Sequence, residues 1–146
     1  MTVEVLTEVT EEVVEAFARL VPQLSATTVP PGRSALDRIV SSSAATVLIG
    51  RVDGRIVGTL TLVMFPIPTG LRAWIEDVVV DESARGQGIG EALSVEAIRL
   101  ARAAGARTVD LTSRPSREAA GRLYEKVGFH LRETRVYRYR VPDPPG

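Results

Sequence analysis

The sequence predicts a single mixed α/β domain over residues 1–146, with helices packed on the faces of a mixed sheet. Two observations lead to this prediction. Hairpin signals between β patterns occupy the first half of the chain, and strand patterns followed by helix patterns occupy the second half. The predicted order of elements is β-α-α-β-β-β-α-β-α-β, and a chain of 146 residues is long enough to bury one core.

The first half is predicted to hold a short strand, two helices and a β-hairpin. Thr10 is a suitable N-cap for the first helix, because apolar residues then recur at three- and four-residue steps until Pro22. A second amphipathic helix carries Leu36, and an apolar strand then spans residues 46–52. Asp53-Gly54 is a strong two-residue turn signal, so residues 55–65 are expected to return as the paired strand.

The second half is predicted to alternate strands and helices. A strand leads into a loop at residues 81–86, a long helix follows, and a further strand and helix come after it. Tyr137, Tyr139 and Val141 alternate with Arg, which predicts a last strand, and residues 142–146 are expected to be a flexible tail. The predicted ranges of the other elements are 71–80 and 108–112 for the strands and 88–104 and 116–127 for the helices.

Composition and charge exclude several classes of protein. Basic and acidic side chains number 18 each, and a net charge of zero argues against a nucleic-acid binder and against a membrane-surface binder. The chain has no Cys and one His, so we expect neither disulfides nor a bound metal. No signal peptide or membrane span is evident, and we therefore expect a cytoplasmic protein.

The segment with a chemical signal is a strand, residues 74–80, followed by the glycine-rich loop Arg85-Gly86-Gln87-Gly88-Ile89-Gly90-Glu91 at the start of a helix. Backbone N–H groups and the positive end of the helix dipole converge in such a loop, which favours phosphate binding. A Walker loop is excluded because no Gly precedes the sole Lys, and a dinucleotide fingerprint lacks its third Gly or Ala. A structural turn without a ligand is the remaining alternative.

Two motifs resemble those of the GNAT-type N-acetyltransferase superfamily. Arg85-x-x-Gly88-x-Gly90 resembles its Q/R-x-x-G-x-G/A loop for the acetyl-CoA pyrophosphate, and residues 120–129 resemble its A-x-x-L-Y-x-x-x-G-F helix and turn. The resemblance implies an acyl-CoA N-acyltransferase fold in which two central strands, residues 73–80 and 108–112, splay apart. The residues that it assigns to acetyl-CoA are Val78, Val79, Val80, Arg85, Gly86, Gln87, Gly88, Ile89, Gly90, Glu91 and Arg117.

The resemblance also implies a catalytic acid and leaves the base open. Tyr124 matches the Tyr that protonates the departing CoA thiolate, and the alternative is a half-buried packing residue. Glu76 and Asp77 are candidate bases. The alternatives are that a water is the base and that the two carboxylates form an ion pair with an Arg such as Arg72. Without a bulge, strand alternation allows only one of the two carboxylates to face the substrate.

Substrate identity is less clear from the sequence. Ile75-Glu76-Asp77 resembles a strand of glucosamine-6-phosphate N-acetyltransferases, but the acidic-Cys segment of those enzymes is replaced by residues 111–114. Arg117 stands where the family often has Asn. With Arg114, it is expected to reach a CoA phosphate or an acidic substrate group, or to be solvated.

The resemblance therefore predicts an acetyl-CoA-dependent N-acetyltransferase acting on a small primary amine by direct attack. The alternatives are a non-catalytic acyl-CoA-binding module and a protein N-acetyltransferase. Residues 131–141 present an alternating apolar and Arg-rich edge, which allows a homodimer through the last strand.

Overall fold

The computed structural model describes residues 1–143, so residues 144–146 of the predicted tail lie outside the described part of the chain. The described residues form five strands, four α-helices and one short 3₁₀ helix. The strands are β1 (Thr2–Val5), β2 (Ala45–Val52), β3 (Arg55–Ile67), β4 (Gly70–Val80) and β5 (Thr108–Asp110). The helices are α1 (Glu11–Leu24), α2 (Arg33–Ser41), the 3₁₀ helix Glu82–Ala84, α3 (Ile89–Ala103) and α4 (Glu118–Lys126).

The strands form one mixed sheet in the order β1-β2-β3-β4-β5. Neighbouring strands are antiparallel except for β4 and β5, which are parallel and joined through α3. This arrangement confirms the predicted mixed α/β class. The hairpin between β2 and β3 also forms as predicted, because Asp53 and Gly54 take the positive φ angles of 50° and 78° that a tight hairpin turn requires.

Helices cover both faces of the sheet, and the sheet separates the core into two layers. On one face, α1 and α2 pack against a buried cluster that includes Leu20, Leu36, Ile49 and Val79. On the other face, α3 packs against a second cluster. Its members are Leu48, Val57, Leu60, Leu62, Ala73, Ile75, Ala84, Ile89, Leu93, Ala97 and Ala101. Burial of these two apolar layers is the main favourable term that holds the helices to the sheet.

A β-bulge interrupts β4. Thr61 pairs with Glu76 and Thr59 pairs with Val79, so one residue of β3 lies opposite two residues of β4, Asp77 and Val78. Asp77 adopts a φ of +50° at this point. Core packing shows the same break: Ile75 and Val79 would share a face in a regular strand, yet they belong to the two opposite layers.

Strand β5 is short, and this opens a fork in the sheet. Its pairing with β4 covers three residues and ends where Trp74 lies beside Asp110. Strand β4 continues to Val80 with β3 on one side only, in the part of the chain that the structure describes. We call residues 75–80 of this strand the free edge of β4.

Two expectations about the elements are wrong. The predicted last strand is absent: residues 130–143 form neither helix nor strand, and Tyr137 and Tyr139 are exposed. Strand β3 continues through Pro66 to Ile67 instead of ending at Phe65. Pairing of β3 with β2 ends at Val63, so Pro66 has only β4 beside it, and such an edge tolerates Pro. Pro22 lies near the end of α1 as expected, since the helix continues only two residues past it to Leu24. Among residues 1–143, no helix has the length and hydrophobicity to cross a bilayer.

Candidate active site

A cleft of about 290 Å³ lies at the fork between β4 and β5. Its walls come from the free edge of β4, the glycine-rich loop, the first turns of α3, and α4, with the end of α1 closing one side. The lining residues are Gln23, Leu24, Val78, Val79, Val80, Ala84, Arg85, Gly86, Gly88, Ile89, Gly90, Ser94, Arg117, Ala119, Ala120, Leu123 and Tyr124. The fork thus brings together most of the site residues expected from the sequence.

The glycine-rich loop bends sharply before α3. Gly86 and Gly88 have φ angles of 80° and 81°, a left-handed conformation that Gly adopts without strain. Gly88 is the N-cap of α3 and has no side chain to satisfy the first helical N–H groups. A Cβ placed on Gly88 would meet no atom of the chain within 4 Å, so the space before the helix is open. This space suits an anion held by backbone amides.

Ile89 fixes the start of α3 against the sheet. Its side chain is 1% exposed, and a Cβ added to either Gly50 or Gly58 would come within 3.0 Å of its Cγ2 atom. Glycine at both positions therefore lets α3 approach β2 and β3 closely. Because its side chain is in the core, Ile89 can offer a ligand its backbone.

Two of the loop residues expected to hold the cofactor do not line the cleft. Gln87 is exposed outside the lining, and the Glu91 carboxylate accepts a bond from Lys126 Nζ at 3.1 Å. This ion pair joins the first turn of α3 to the last turn of α4. The side chain of Glu91 therefore joins two helices outside the lining of the cleft.

Tyr124 reaches the cleft from α4. Its ring is half-buried and packs edge-to-face against Phe129, with 5.8 Å between ring centroids and 77° between ring planes. Burial raises the pKa of the Tyr124 phenol above its usual value near 10, and the positive charge of Arg117 partly opposes this. The hydroxyl therefore keeps its proton at neutral pH, which is the state a general acid needs.

Two arginines line the cleft near the loop and α4. Arg85 follows the 3₁₀ helix, and its Nε atom donates to the carbonyl oxygen of Val80 at 3.4 Å. Arg117 occupies the N-cap position of α4, where its side chain makes no capping bond. Both arginines line the cleft together with Gly86 and Gly88, so the cleft combines helix-end amides with residues of positive charge.

Glu76 and Asp77 lie next to the cleft and not in its lining. Both are exposed, and Asp77 sits in the bulge, so the alternation that would have placed the two carboxylates on opposite faces does not hold. Glu76 accepts a hydrogen bond from the indole Nε1 of Trp74 at 2.7 Å. The alternative of an ion pair with Arg72 is not seen, since Arg72 donates to Thr69 Oγ1 at 3.4 Å.

The contacts of α1 with the segment that follows β4 were not predicted from the sequence. The side chain of Gln23 lines the cleft, and its Oε1 atom accepts from the backbone N–H of Glu82 at 2.9 Å. One turn earlier, Arg19 Nε donates to the buried Asp81 carboxylate at 2.9 Å. Hydrogen bonds from Ser83 and Arg19 lower the pKa of Asp81. These contacts join positions about 60 residues apart, and no local pattern in the sequence predicts them.

Metal-binding groups are not present in the described part of the chain. Among residues 1–143, no three or more His, Asp or Glu side chains are grouped so that they could hold an ion. The chemistry that the cleft can perform with its own groups is anion binding, backbone pairing along a strand, and proton donation by a phenol.

Comparisons with known proteins agree with this geometry. Residues 9–129 match the model of the acetyltransferase (GNAT) family. Glucosamine 6-phosphate N-acetyltransferase of Trypanosoma brucei brucei is 43% identical over 86 residues, which are 57% of this chain and 56% of that protein. N-alpha-acetyltransferase 30 of Schizosaccharomyces pombe is 35% identical over 71 residues, which are 49% of this chain and 47% of that protein. The chain thus aligns with about half the length of these curated relatives.

A solved structure extends the likeness to nearly the whole chain. An acetyltransferase of Trypanosoma brucei superposes with a TM-score of 0.76 at 30% identity, covering 96% of this chain and 99% of that chain. The family match covers 121 consecutive positions and includes both the glycine-rich loop and the helix that carries Tyr124. The chain therefore belongs to the GNAT family of acetyltransferases.

Proposed function

We propose that this protein transfers an acetyl group from acetyl-CoA to a primary amine by direct attack of the amine on the thioester. The observation that carries the proposal is the shared cleft: the free edge of β4, the glycine-rich loop and Tyr124 all line it. Family membership supports the same reaction class. The chain has no Cys, so a covalent cysteine intermediate plays no part.

The cleft residues divide the binding of acetyl-CoA between them. Gly86 and Gly88 leave room for the pyrophosphate at the first amides of α3, and Arg85 and Arg117 supply opposite charge. The free edge of β4 offers unpaired backbone groups, with which the pantetheine amides can pair as a strand would. Acetyl-CoA supplies the activated acyl group.

The bulge adds a feature that suits thioester chemistry. The extra residue takes backbone groups at Asp77 and Val78 out of the ladder with β3. An N–H group released in this way can donate to the thioester carbonyl and stabilise the negative charge that develops on its oxygen. Tyr124 then donates its proton to the thiolate leaving group.

A base must take a proton from the amine, because an ammonium group has no lone pair with which to attack. Glu76 is our first candidate, because it lies at the residue before the bulge and its carboxylate is exposed. Asp77 and a bound water remain alternatives. Amide replacement of the true base should remove the acidic limb of the kcat/KM pH profile, and replacement of the other carboxylate should leave it in place.

The acceptor is proposed to be a small-molecule amine. One curated relative is named for glucosamine 6-phosphate, which supports this choice, although residues 111–114 depart from the segment expected in such enzymes. A relative named as an N-alpha-acetyltransferase favours a protein amino terminus as the second candidate. We also propose a homodimer through residues 131–141, which are exposed throughout.

Release of free CoA thiol from acetyl-CoA tests the proposal directly. The panel of acceptors is glucosamine 6-phosphate, glucosamine, spermidine and a short peptide with a free amino terminus. We expect thiol release that depends on one of these amines, with a product heavier by one acetyl group. Tight binding of acetyl-CoA without transfer to any of them would instead support a non-catalytic acyl-CoA-binding module.

A further inference from the structure

Trp74 occupies a special position in the sheet. It is the last residue of β4 that pairs with β5, so it stands at the point where the two strands part. The bulge at Asp77 begins three residues later. Glu76 lies between the fork and the bulge, and its carboxylate is bonded to the indole of Trp74. The sole Trp of the chain thus stands beside the candidate base.

The two side chains share the face of β4 that lies opposite α3. Ala73 and Ile75 belong to the core layer under α3, so the alternating neighbours Trp74 and Glu76 point to the face of α1 and α2. The cluster under α1 and α2 takes Val79 from β4, which leaves Trp74 half-buried and Glu76 exposed. This face is therefore open to a molecule that approaches from solvent.

An amine would approach the thioester from this same face. Helix α3 packs on the opposite face of the sheet, α4 packs against α3, and both line the cleft proposed to hold acetyl-CoA. A thioester at the free edge of β4 is then reached by the acceptor from the side that carries Trp74 and Glu76.

The hydrogen bond restricts the carboxylate. Indole Nε1 is a donor with no acceptor capacity, and at 2.7 Å it holds one oxygen of Glu76 and leaves the second oxygen for another partner. An exposed glutamate otherwise samples several rotamers. Of the ion pairs among residues 1–143, none includes Glu76, so the indole is the group that limits its orientation.

We infer that Trp74 is a positioning residue for acetyl transfer, which orients the Glu76 carboxylate toward the acceptor amine through its indole N–H. The inference rests on the proposed function and names a residue that acts through Glu76 without touching the reacting atoms. A misplacement of about 1 Å at a reacting group can reduce a rate by about 10²-fold, so the loss of one orienting bond is measurable.

A double-mutant cycle tests the inference. Trp74→Phe keeps an aromatic ring and removes the donor, and we expect kcat to fall about tenfold with the panel amine that gives the highest rate. The acetyl-CoA dissociation constant from calorimetry should stay the same. In a Glu76→Gln background, Trp74→Phe should change kcat by less than about twofold, because its target carboxylate is already gone. Trp74→His, which keeps a ring N–H, should recover part of the rate.

Control variants separate positioning from packing. Val63 of β3 is the pairing partner of Trp74 in β4, so Val63→Thr disturbs the same surface while keeping the indole bond. We expect Val63→Thr to keep the wild-type kcat. Equal losses in Val63→Thr and Trp74→Phe, or multiplicative losses in Trp74→Phe and Glu76→Gln, would overturn the inference.

Fluorescence supplies a readout that does not depend on activity. Because Trp74 is the sole Trp, its emission reports the neighbouring carboxylate, and it should change when Glu76 is replaced by Gln. Glu91→Gln, at a carboxylate bonded to Lys126 instead of Trp74, should leave the emission unchanged. If the Trp74 emission is the same in the wild type and in Glu76→Gln, the inference is contradicted. A wild-type protein that is inactive with every amine would overturn both the proposed function and the positioning role of Trp74. An active wild type with a full-rate Trp74→Phe variant would contradict the positioning role alone.

Discussion

At the scale of single residues, the site depends on side chains whose surroundings suit their chemistry. Tyr124 is half-buried, so its phenol keeps the proton that the proposed acid role requires. Ile89 has its side chain in the core and presents its backbone at the start of α3. Glu76 stays exposed but is held by one hydrogen bond. Each of these roles follows from burial or from a single contact.

Replacement of Tyr124 by Phe tests the acid. We expect kcat to fall by about 10²–10⁴-fold with the affinity for acetyl-CoA nearly unchanged, because the ring that packs on Phe129 is kept and the proton donor is lost. Steady-state kinetics and calorimetry measure the two quantities. Tyr137→Phe, at an exposed position outside the cleft, is the matched control and should keep full activity. A full-rate Tyr124→Phe enzyme would end the acid assignment.

Arg117 should set the upper pH limit of the reaction. Its positive charge lowers the pKa of Tyr124 against the larger effect of burial, since a nearby cation stabilises the phenolate. Arg117→Gln removes this charge, so the pKa of Tyr124 should rise and the basic limb of the kcat profile should move to higher pH. Arg122→Gln, on the exposed side of the same helix, should leave the limb in place. A basic limb that moves to lower pH in Arg117→Gln would contradict the assignment.

At the scale of secondary-structure elements, the loop before α3 and the edge of β4 together form the proposed anion and pantetheine sites. Gly88 caps α3 without a side chain, so the positive end of this helix faces open space. The short β5 leaves the neighbouring edge of β4 unpaired. Neither element makes a cleft by itself, and their junction at Val80 and Arg85 brings the two sites side by side.

Two substitutions of Gly88 separate charge from backbone strain. Asn and Asp tolerate the left-handed conformation better than most residues and have nearly the same shape, so both should fold. The Asp carboxylate would repel the pyrophosphate, and we expect it to weaken CoA binding at least about tenfold more than Asn does. Calorimetry gives both affinities, and circular dichroism checks the fold. Equal CoA affinities of the two variants would place the pyrophosphate elsewhere.

The sequence predicts those elements whose signals are local. Thr10 caps α1 through its Oγ1 atom, which accepts from Val13 N–H at 3.3 Å, and Asp53-Gly54 turns the hairpin as expected. The bulge at Asp77 escapes prediction because register between β3 and β4 decides it, and an Asp between Glu and Val signals no positive φ. The expectation that only one of the two carboxylates faces the substrate assumed a strand without a bulge, so it does not apply to Asp77. Most of the cleft lining was predictable, because it lies on the strand, loop and helix that carry the two sequence motifs.

At the scale of the whole molecule, contacts between distant segments join the two halves of the chain around the cleft. Arg19 and Gln23 of α1 bond to the segment that follows β4, so the first helix holds the approach to the glycine-rich loop. Charge pairing of Arg19 with the buried Asp81 makes this contact specific. Such long-range pairs cannot be read from local patterns, so the bonds of Arg19 and Gln23 to the segment after β4 were not predicted.

Residues 130–143, which form neither helix nor strand, are the largest departure from the predicted fold. Apolar side chains of this segment are exposed, with Leu131 at 96% and Tyr137 at 85%. Its residues favour β structure, and the outer edge of β5 has no strand beside it in the described part of the chain. Because this segment does not pair with β5 of its own chain, it can pair with β5 of a second copy.

We therefore expect a dimer in solution, in which residues 131–141 of each copy form a strand on β5 of the other. Light scattering at micromolar concentration should give twice the monomer mass of 15.8 kDa. Tyr137→Lys with Tyr139→Lys should reduce the mass to that of the monomer, because both side chains lie on one face of the strand and would bring charge into the interface. Arg138→Gln, which falls on the opposite face, should leave the dimer intact. A wild-type mass equal to the monomer would refute this expectation and favour pairing of the segment with β5 of its own chain.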